Sequence, residues 1–327
     1  MTEQGGFAIP LSATRAETMS VLFSQRHLLD ITSLTPDDIV SVLDLADSLK
    51  EVLRRPIPKV PTLRGKLITN LFFEPSTRTR LSFEKAAKTL SADTFNFTAR
   101  MSSVEKGETL LDTVLNLEAM GTDLFIIRHP KAGAPHFIAK HTKARVINAG
   151  DGFHAHPTQA LLDMLTVRQK KGTLSGLKVA IIGDIRHSRV AHSNIVGFRK
   201  MDSEVYVSGP ATMLPPEREA LGARVCYRLE EALSGADVVM ALRVQKERHG
   251  RPLFPSLREY AIHFGLNRQR LELAKEDCLL MHPGPINWGV ELHPELQNDP
   301  RNVILEQVEN GVAIRMALLV LLLGGGA

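Results

Sequence analysis

The chain has 327 residues, long for a single core and suited to two domains of ordinary size. Hydrophobic residues make up 43% and charged residues 23%, a globular balance that excludes a disordered or fibrous chain. The net charge of +4 is small and spread along the chain, with only three Tyr and one Trp as stacking platforms, which argues against a nucleic-acid surface and fits anionic small substrates better.

Taken in order, Met1–Ser20 lacks the basic-then-apolar order of a secretory signal and is expected to be a loose tail. Thr35 then offers a helix cap, Pro36 the first helical position, and Asp37 and Asp38 suit the positive end of the dipole. Ile39, Val42, Leu43, Ala46 and Leu49 make that helix's apolar face. A strand is predicted over Lys66–Phe73, a turn at Glu74-Pro75, and a helix from Ser76 with Phe83, Ala86, Ala87 and Leu90 at helical spacing. Strands follow at Thr94–Phe97, Asp123–Arg128 and Arg145–Asn148, with a helix over Thr109–Met120. A helix over Pro157–Gln169 ends at Lys170-Lys171-Gly172, and the boundary between two domains, 1–155 and 156–305, is placed around it. Further strands are expected at Leu177–Gly183, Glu204–Ser208, Arg224–Tyr227, Asp237–Leu242 and Leu279–Met281. The last helix, Glu306–Leu323, carries more apolar surface than its own domain needs, so residues 306–327 are expected to pack back on the first domain. Its run Ala317–Leu323 is too short to span a bilayer. Short apolar strands alternating with helices give an α/β class: two domains, each a parallel sheet flanked by helices.

The most informative segment is Phe72-Phe73-Glu74-Pro75-Ser76-Thr77-Arg78-Thr79-Arg80. A strand ends, a turn follows, and a helix opens inside a run of hydroxyls and guanidiniums. Helix N-termini present unpaired N–H groups and a partial positive charge. Ser76, Thr77 and Thr79 add hydroxyl donors, and Arg78 adds a planar fork that matches phosphate oxygens. A bare S/T-x-R pattern reads more simply as a capped helix with solvated arginines; the full string favours a phosphate cradle. There is no G-x-x-x-x-G-K-[ST], and Ile181-Ile182-Gly183-Asp184 lacks the G-x-G-x-x-G fingerprint, so neither a P-loop nor a nicotinamide site is expected. Cys226 and Cys278 form no metal-ligand spacing and read as buried reduced thiols of a cytoplasmic protein. His154 and His156 form an H-x-H pair with no evident third ligand, so no metal and no cofactor are expected.

At this string the chain resembles the carbamoyltransferases. Ser102-Ser103-Val104-Glu105-Lys106-Gly107-Glu108, Arg128-His129-Pro130, His156-Pro157-Thr158-Gln159, Arg189, Arg243-Val244-Gln245-Lys246-Glu247-Arg248 and His282-Pro283-Gly284-Pro285 narrow the resemblance to the aspartate carbamoyltransferase catalytic chains. These motifs run in the family's order from about Leu28 to Leu323. The resemblance implies a first domain for carbamoyl phosphate, a second for aspartate, two connecting helices, and an early step of pyrimidine synthesis. It implies a carbamoyl phosphate site of Ser76, Thr77, Arg78, Thr79, Ser102, Arg128, His156, Gln159 and the Pro283 and Gly284 carbonyls. Thr79, Arg128 and His156 would polarise the carbonyl, and Arg78 would offset charge on the leaving phosphate. It implies an aspartate clamp of Lys106, Arg189, Arg243 and Gln245, with Glu74 orienting Arg78 or a partner arginine. It further implies a homotrimer whose sites borrow Ser102 and Lys106 from a neighbour. Related trimers pair with a regulatory chain or a dihydroorotase-type partner, and these residues favour neither; no nucleic acid or membrane is implied. Asn287-Trp288-Gly289 departs from the Asn-Arg-Gly common after the His-Pro-x-Pro motif, which puts a charged contact or a partner surface in doubt. The alternatives are an ornithine carbamoyltransferase and a non-catalytic relative. The first usually carries a Cys in the His282–Pro285 loop, and the second would have lost Arg78, Arg128 or His156.

Overall fold

The computed structural model describes residues 23–98, 109–215, 222–244 and 253–324. Ser102, Lys106 and Gln245 therefore lie outside the described residues, as does the N-terminal tail.

The described chain builds two parallel sheets. The first unit comprises α1 (Pro36–Leu53), β1 (Leu67–Phe72), α2 (Thr77–Thr89), β2 (Asp93–Thr98), α3 (Leu110–Ala119), β3 (Leu124–His129), α4 (Ala134–Ala139) and β4 (Arg145–Asp151). Its strand order is β2-β1-β3-β4, all parallel. Then come α5 (Pro157–Lys171), β5 (Lys178–Ile182), α6 (Arg189–Lys200), β6 (Glu204–Ser208), β7 (Arg224–Cys226), α7 (Leu229–Leu233), β8 (Val238–Ala241), α8 (Leu257–Phe264), α9 (Arg268–Leu271), β9 (Leu279–Met281) and α10 (Ile304–Leu323). The second sheet runs β7-β6-β5-β8-β9, again parallel.

Local chemistry explains the best-defined ends. The Thr35 hydroxyl accepts from Asp38 N, while the Asp38 carboxylate takes Thr35 N at 3.0 Å, so α1 opens with a reciprocal capping box. Gly172 closes α5 with a left-handed φ of 74°, a conformation that favours glycine. The short helices α4, α7 and α9 have six, five and four residues, too few to show a periodic signal. The last helix starts at Ile304, two residues before the expected Glu306, with Val303 making no side-chain cap.

Alternation along the strands distributes the cores. Val179 and Ile181 of β5 face the main cluster, while Ala180 and Ile182 face a second one on the other side of the sheet. In β3, Ile126 joins the main cluster and Phe125 and Ile127 join a third. The main cluster crosses between the units through α5 and α10. Residues of α5 from Pro157 to Val167 are buried throughout, as suits a helix covered on every side. The helix α10 packs on α1, α2 and α5. No described helix is long and apolar enough to cross a membrane.

Candidate active site

Both sheets aim their carboxyl ends at one cavity of about 660 Å³. In parallel sheets the loops at that end are where ligands bind. The turn after β1 supplies Glu74 to Arg78, the end of β3 supplies Arg128, and the segment after β4 supplies His156. From the second sheet, the loop after β5 brings Arg189, the end of β8 brings Arg243, and the loop after β9 brings Pro283 and Gly284. Thr79 and Gln159 also line the cavity. Every expected site residue that is described lines this space; Ser102, Lys106 and Gln245 are not described.

The phosphate-type turn keeps its helix end open. Ser76 is the N-cap of α2 but makes no side-chain capping bond, its hydroxyl lying instead 2.9 Å from Thr79 Oγ1. Backbone N–H groups at such an end suit an anion. Arg78 crosses the cavity to the second unit, with Nη2 3.5 Å from the Pro283 carbonyl. Gly284 has φ 62°, and a Cβ there would lie 1.9 Å from Arg78 Nη1. The guanidinium thus passes close to Gly284, whose left-handed φ favours glycine. Burial, and then the field of Arg243, lower the pKa of Arg78, but a guanidinium stays charged at neutral pH.

Glu74 holds the arginines on the cavity wall. Its Oε2 lies 2.7 Å from Arg189 Nη2 and 3.4 Å from Arg128 Nε. Of the two expected alternatives, Arg78 or a partner arginine, these contacts agree with the second, with Arg189 and Arg128 as the partners. Arg128 also donates to the Ala149 carbonyl at 3.3 Å. Arg189 is only 3% exposed and sends Nη1 back to the Gly152 carbonyl at 3.2 Å. To take a substrate carboxylate it must share or exchange these partners.

His156 caps α5 and is buried. Its N–H donates to Ser193 Oγ of α6 at 2.9 Å, and the Thr158 hydroxyl lies 3.4 Å from its Nδ1. His282 is fully enclosed. Its Nδ1 accepts from Gly284 N at 2.8 Å, so the ring proton sits on Nε2, 3.2 Å from Glu291. Burial lowers its pKa and Glu291 opposes the shift. A neutral His282 thereby braces the Pro283–Gly284 loop. Neither Glu291 nor His282 was singled out from the sequence for this role. Asn287, of the tripeptide that differs from the common Asn-Arg-Gly, donates its N–H to the same Glu291 at 2.7 Å, and Trp288 is exposed.

One group with metal-type donors occurs among the described residues: His136, Asp151 and His154. Asp151 already accepts from Gly133 N, Asn148 Nδ2 and Ala155 N at 2.7, 2.8 and 3.1 Å, and His154 Nδ1 lies 3.0 Å away. These donors fill the roughly four acceptor positions of a carboxylate. Asp151 serves as the tie of the loop that delivers His156.

Residues 26–169 match the family described as aspartate/ornithine carbamoyltransferase, carbamoyl-P binding domain. Residues 175–322 match the aspartate/ornithine carbamoyltransferase, Asp/Orn binding domain. The aspartate carbamoyltransferase catalytic subunit of Syntrophotalea carbinolica is 58% identical over 93% of this chain and 97% of its own. The aspartate transcarbamoylase of Trypanosoma cruzi, solved with aspartate and phosphate, superposes with a TM-score of 0.81 at 30% identity over 91% and 96% of the two chains. The ornithine carbamoyltransferase of Pyrococcus furiosus gives 0.82 at 28% identity over 92% and 98%. Backbone shape therefore does not separate the two specificities, whereas relatives at 55–58% identity are aspartate carbamoyltransferase catalytic subunits. The chain belongs to the aspartate/ornithine carbamoyltransferase family, on the side of the aspartate carbamoyltransferase catalytic subunits.

Proposed function

We propose that the chain transfers the carbamoyl group of carbamoyl phosphate to the amino group of L-aspartate, giving N-carbamoyl-L-aspartate and phosphate, an early step of pyrimidine synthesis. The observation that carries this is the convergence of Arg78, Arg128 and His156 from one unit with Arg243 from the other on one cavity.

The reaction needs a polarised carbonyl, a stabilised leaving group and an amine held close. The open end of α2, with Ser76, Thr77, Arg78 and Thr79, takes the phosphate. Arg78 offsets the charge that grows as phosphate departs. Thr79, Arg128 and His156 donate to the carbonyl oxygen, where charge develops in the tetrahedral transition state. The His156 tautomer with its proton on Nε2 has a donor available for that bond. The Gln159 side chain and the Pro283 and Gly284 carbonyls accept from the carbamoyl NH₂. Arg243, Arg189, Gln245 and Lys106 hold the two carboxylates of aspartate, bidentate where arginine meets carboxylate. The amine attacks the carbamoyl carbon, the C–O bond to phosphate breaks, and no covalent enzyme intermediate forms. Aligning two bound reactants contributes about 7–11 kcal/mol in well-oriented systems.

We also assign a homotrimer in which Ser102 and Lys106 enter the neighbouring site. Supporting this, β2 is an edge strand that carries the exposed Phe95, and Leu81, Leu115 and Met120 of the first unit also stand exposed. The segment carrying Ser102 and Lys106 joins β2 to α3. The buried free thiols of Cys226 and Cys278 fit a reducing, cytoplasmic setting. A regulatory chain or dihydroorotase-type partner would join this trimer.

The test is phosphate release from carbamoyl phosphate with aspartate or ornithine. Aspartate should be turned over, with ornithine at least about 100-fold slower, the scale of discrimination imposed by polar groups left unpaired. Equal rates, or failure of a phosphonate–dicarboxylate mimic to bind, would remove the assignment. Mixing Lys106→Ala and Arg243→Ala chains should restore activity; no recovery despite subunit exchange would remove the shared site.

A further inference from the structure

The cavity wall rests on a buried carboxylate that carries no place in the reaction described above. Asp163, in the middle of α5, has no exposed surface. Its Oδ1 accepts from Gln159 Nε2 at 3.0 Å and from Gln307 Nε2 at 2.7 Å, and its Oδ2 from Asn194 Nδ2 at 2.8 Å. The donors come from α5, α10 and α6, so three helices meet at one anion.

An ionised carboxylate only accepts hydrogen bonds. Gln159 must therefore turn its NH₂ to Asp163, which leaves Oε1 as the amide atom for the cavity that Gln159 lines. Gln307 is turned in the same sense, and its own Oε1 accepts from His282 N at 3.0 Å. His282 in turn holds Gly284 N through Nδ1. One anion thus dictates the direction of two amides that line the cavity.

We infer that Asp163 is a positioning residue for carbamoyl recognition: it fixes Gln159 Oε1 as the acceptor shown to the carbamoyl NH₂ and, through Gln307, holds the His282–Gly284 backbone at the cavity. This rests on the substrate reading above. A carbamoyl NH₂ is a donor. A reversed Gln159 would meet it donor to donor, and the subsite would lose the feature that selects a carbamoyl group over an acetyl group.

The chemistry of the pocket sharpens the idea. Burial pushes the Asp163 carboxyl up to about 7, against the pull of Asn194, Gln307, Gln159 and Arg315. Facing it from α6 and α10 are the neutral Asn194 and Gln307, and the charged Arg315 of α10, itself buried beside Ser82 and the Phe83 ring. Once protonated, Asp163 no longer imposes either amide direction.

The experiment compares wild type, Asp163→Asn, Gln159→Ala and the double variant. Wild-type turnover is measured first. A protein inactive on carbamoyl phosphate with aspartate or ornithine fails the substrate reading, whereas the variants test this inference alone. Asp163→Asn should raise the KM for carbamoyl phosphate roughly 10-fold or more, the scale of one mispaired buried polar group. The KM for aspartate should move less than about threefold, and the double variant should be worse than Gln159→Ala by clearly less than the full Asp163→Asn factor, as expected where one of the two arms runs through Gln159. A fully additive loss in the double variant, or a KM within about twofold of wild type, would overturn the inference. Should Asp163→Asn fail to fold, the wild-type pH profile decides. Between about pH 8 and 6 wild type should lose carbamoyl phosphate affinity more steeply than Gln159→Ala, because phosphate titration is common to both. Parallel profiles would also overturn it.

Discussion

Two carboxylates support the same cavity, Glu74 lining it and Asp163 lying behind its wall, and they are buried in opposite ways. Glu74, at the turn after β1, sits between the guanidiniums of Arg189 and Arg128. Asp163, in α5, is surrounded by three amide donors, with Arg315 acting on it only through its field. The first arrangement matches charge with charge and joins the two sheets through a single ion cluster. The second has no opposite charge in contact among the described residues, so desolvation dominates and its carboxyl rises to about 7. Ion pairing fixes arginines that must stay charged. Amide donors fix the direction of other amides, and that control exists only while the carboxylate is ionised. The same cavity thus combines an ion-paired frame with a carboxylate held by amides.

The largest effect should come from the charged frame's reacting member. Arg78→Ala should lower kcat about 100- to 1000-fold, the loss typical of a donor aimed at developing charge. Steady-state kinetics with the fold checked by circular dichroism measure it; a drop below tenfold would place Arg78 outside the reacting geometry. Next, Glu74→Ala leaves Arg189 buried without its carboxylate. Breaking a mostly buried pair in this way should cost roughly 3 kcal/mol, read from urea unfolding midpoints. A change below about 1 kcal/mol would make Glu74 an ordinary surface charge.

The titrating side predicts a smaller, pH-dependent effect. The folded pKa of Asp163 lies above the ordinary 3.8, so the stability it contributes is fully present below that value and is lost as pH rises towards about 7. Asp163→Asn lacks this dependence. The Tm gap between variant and wild type should therefore shift by several degrees in the variant's favour from about pH 5 to pH 8. A constant gap would show that Asp163 does not titrate in this range. Smallest is a remote control: Thr35→Ala removes the α1 cap bond, costs about 1 kcal/mol and leaves kcat unchanged. A kinetic effect from it would mean that global stability leaks into the other measurements.

Elements with strong local signals were legible residue by residue. Thr35-Pro36-Asp37-Asp38 spells a capping box within four residues, and the structure forms it. The strands Glu204–Ser208 and Leu279–Met281 match the expected bounds because short apolar runs between polar breaks leave little freedom. The helix Ala134–Ala139 was not anticipated, since six residues after Gly133 complete too few turns to show a period. For the site, the Ser76–Arg80 string, Arg128, His156, Gln159 and Arg243 could be picked out because each stands at a strand or helix end inside a recognisable motif. The partners of Glu74 could not. They lie 54 and 115 residues away, and nothing in a sequence says which of several arginines a glutamate will meet.

The order of residues by itself determined the alternation of parallel strands and helices, the caps that begin the helices, and a hydroxyl- and guanidinium-rich turn suited to phosphate. These depend on hydrogen bonds and apolar spacing within a few residues. Tertiary structure alone decided that Arg78 lies across Gly284, that Glu74 joins Arg128 to Arg189, and that Asp163 directs Gln159 and Gln307. The physical reason is that burial sets the strength of a charge and the direction of an amide, and burial is a property of packed helices rather than of neighbouring letters.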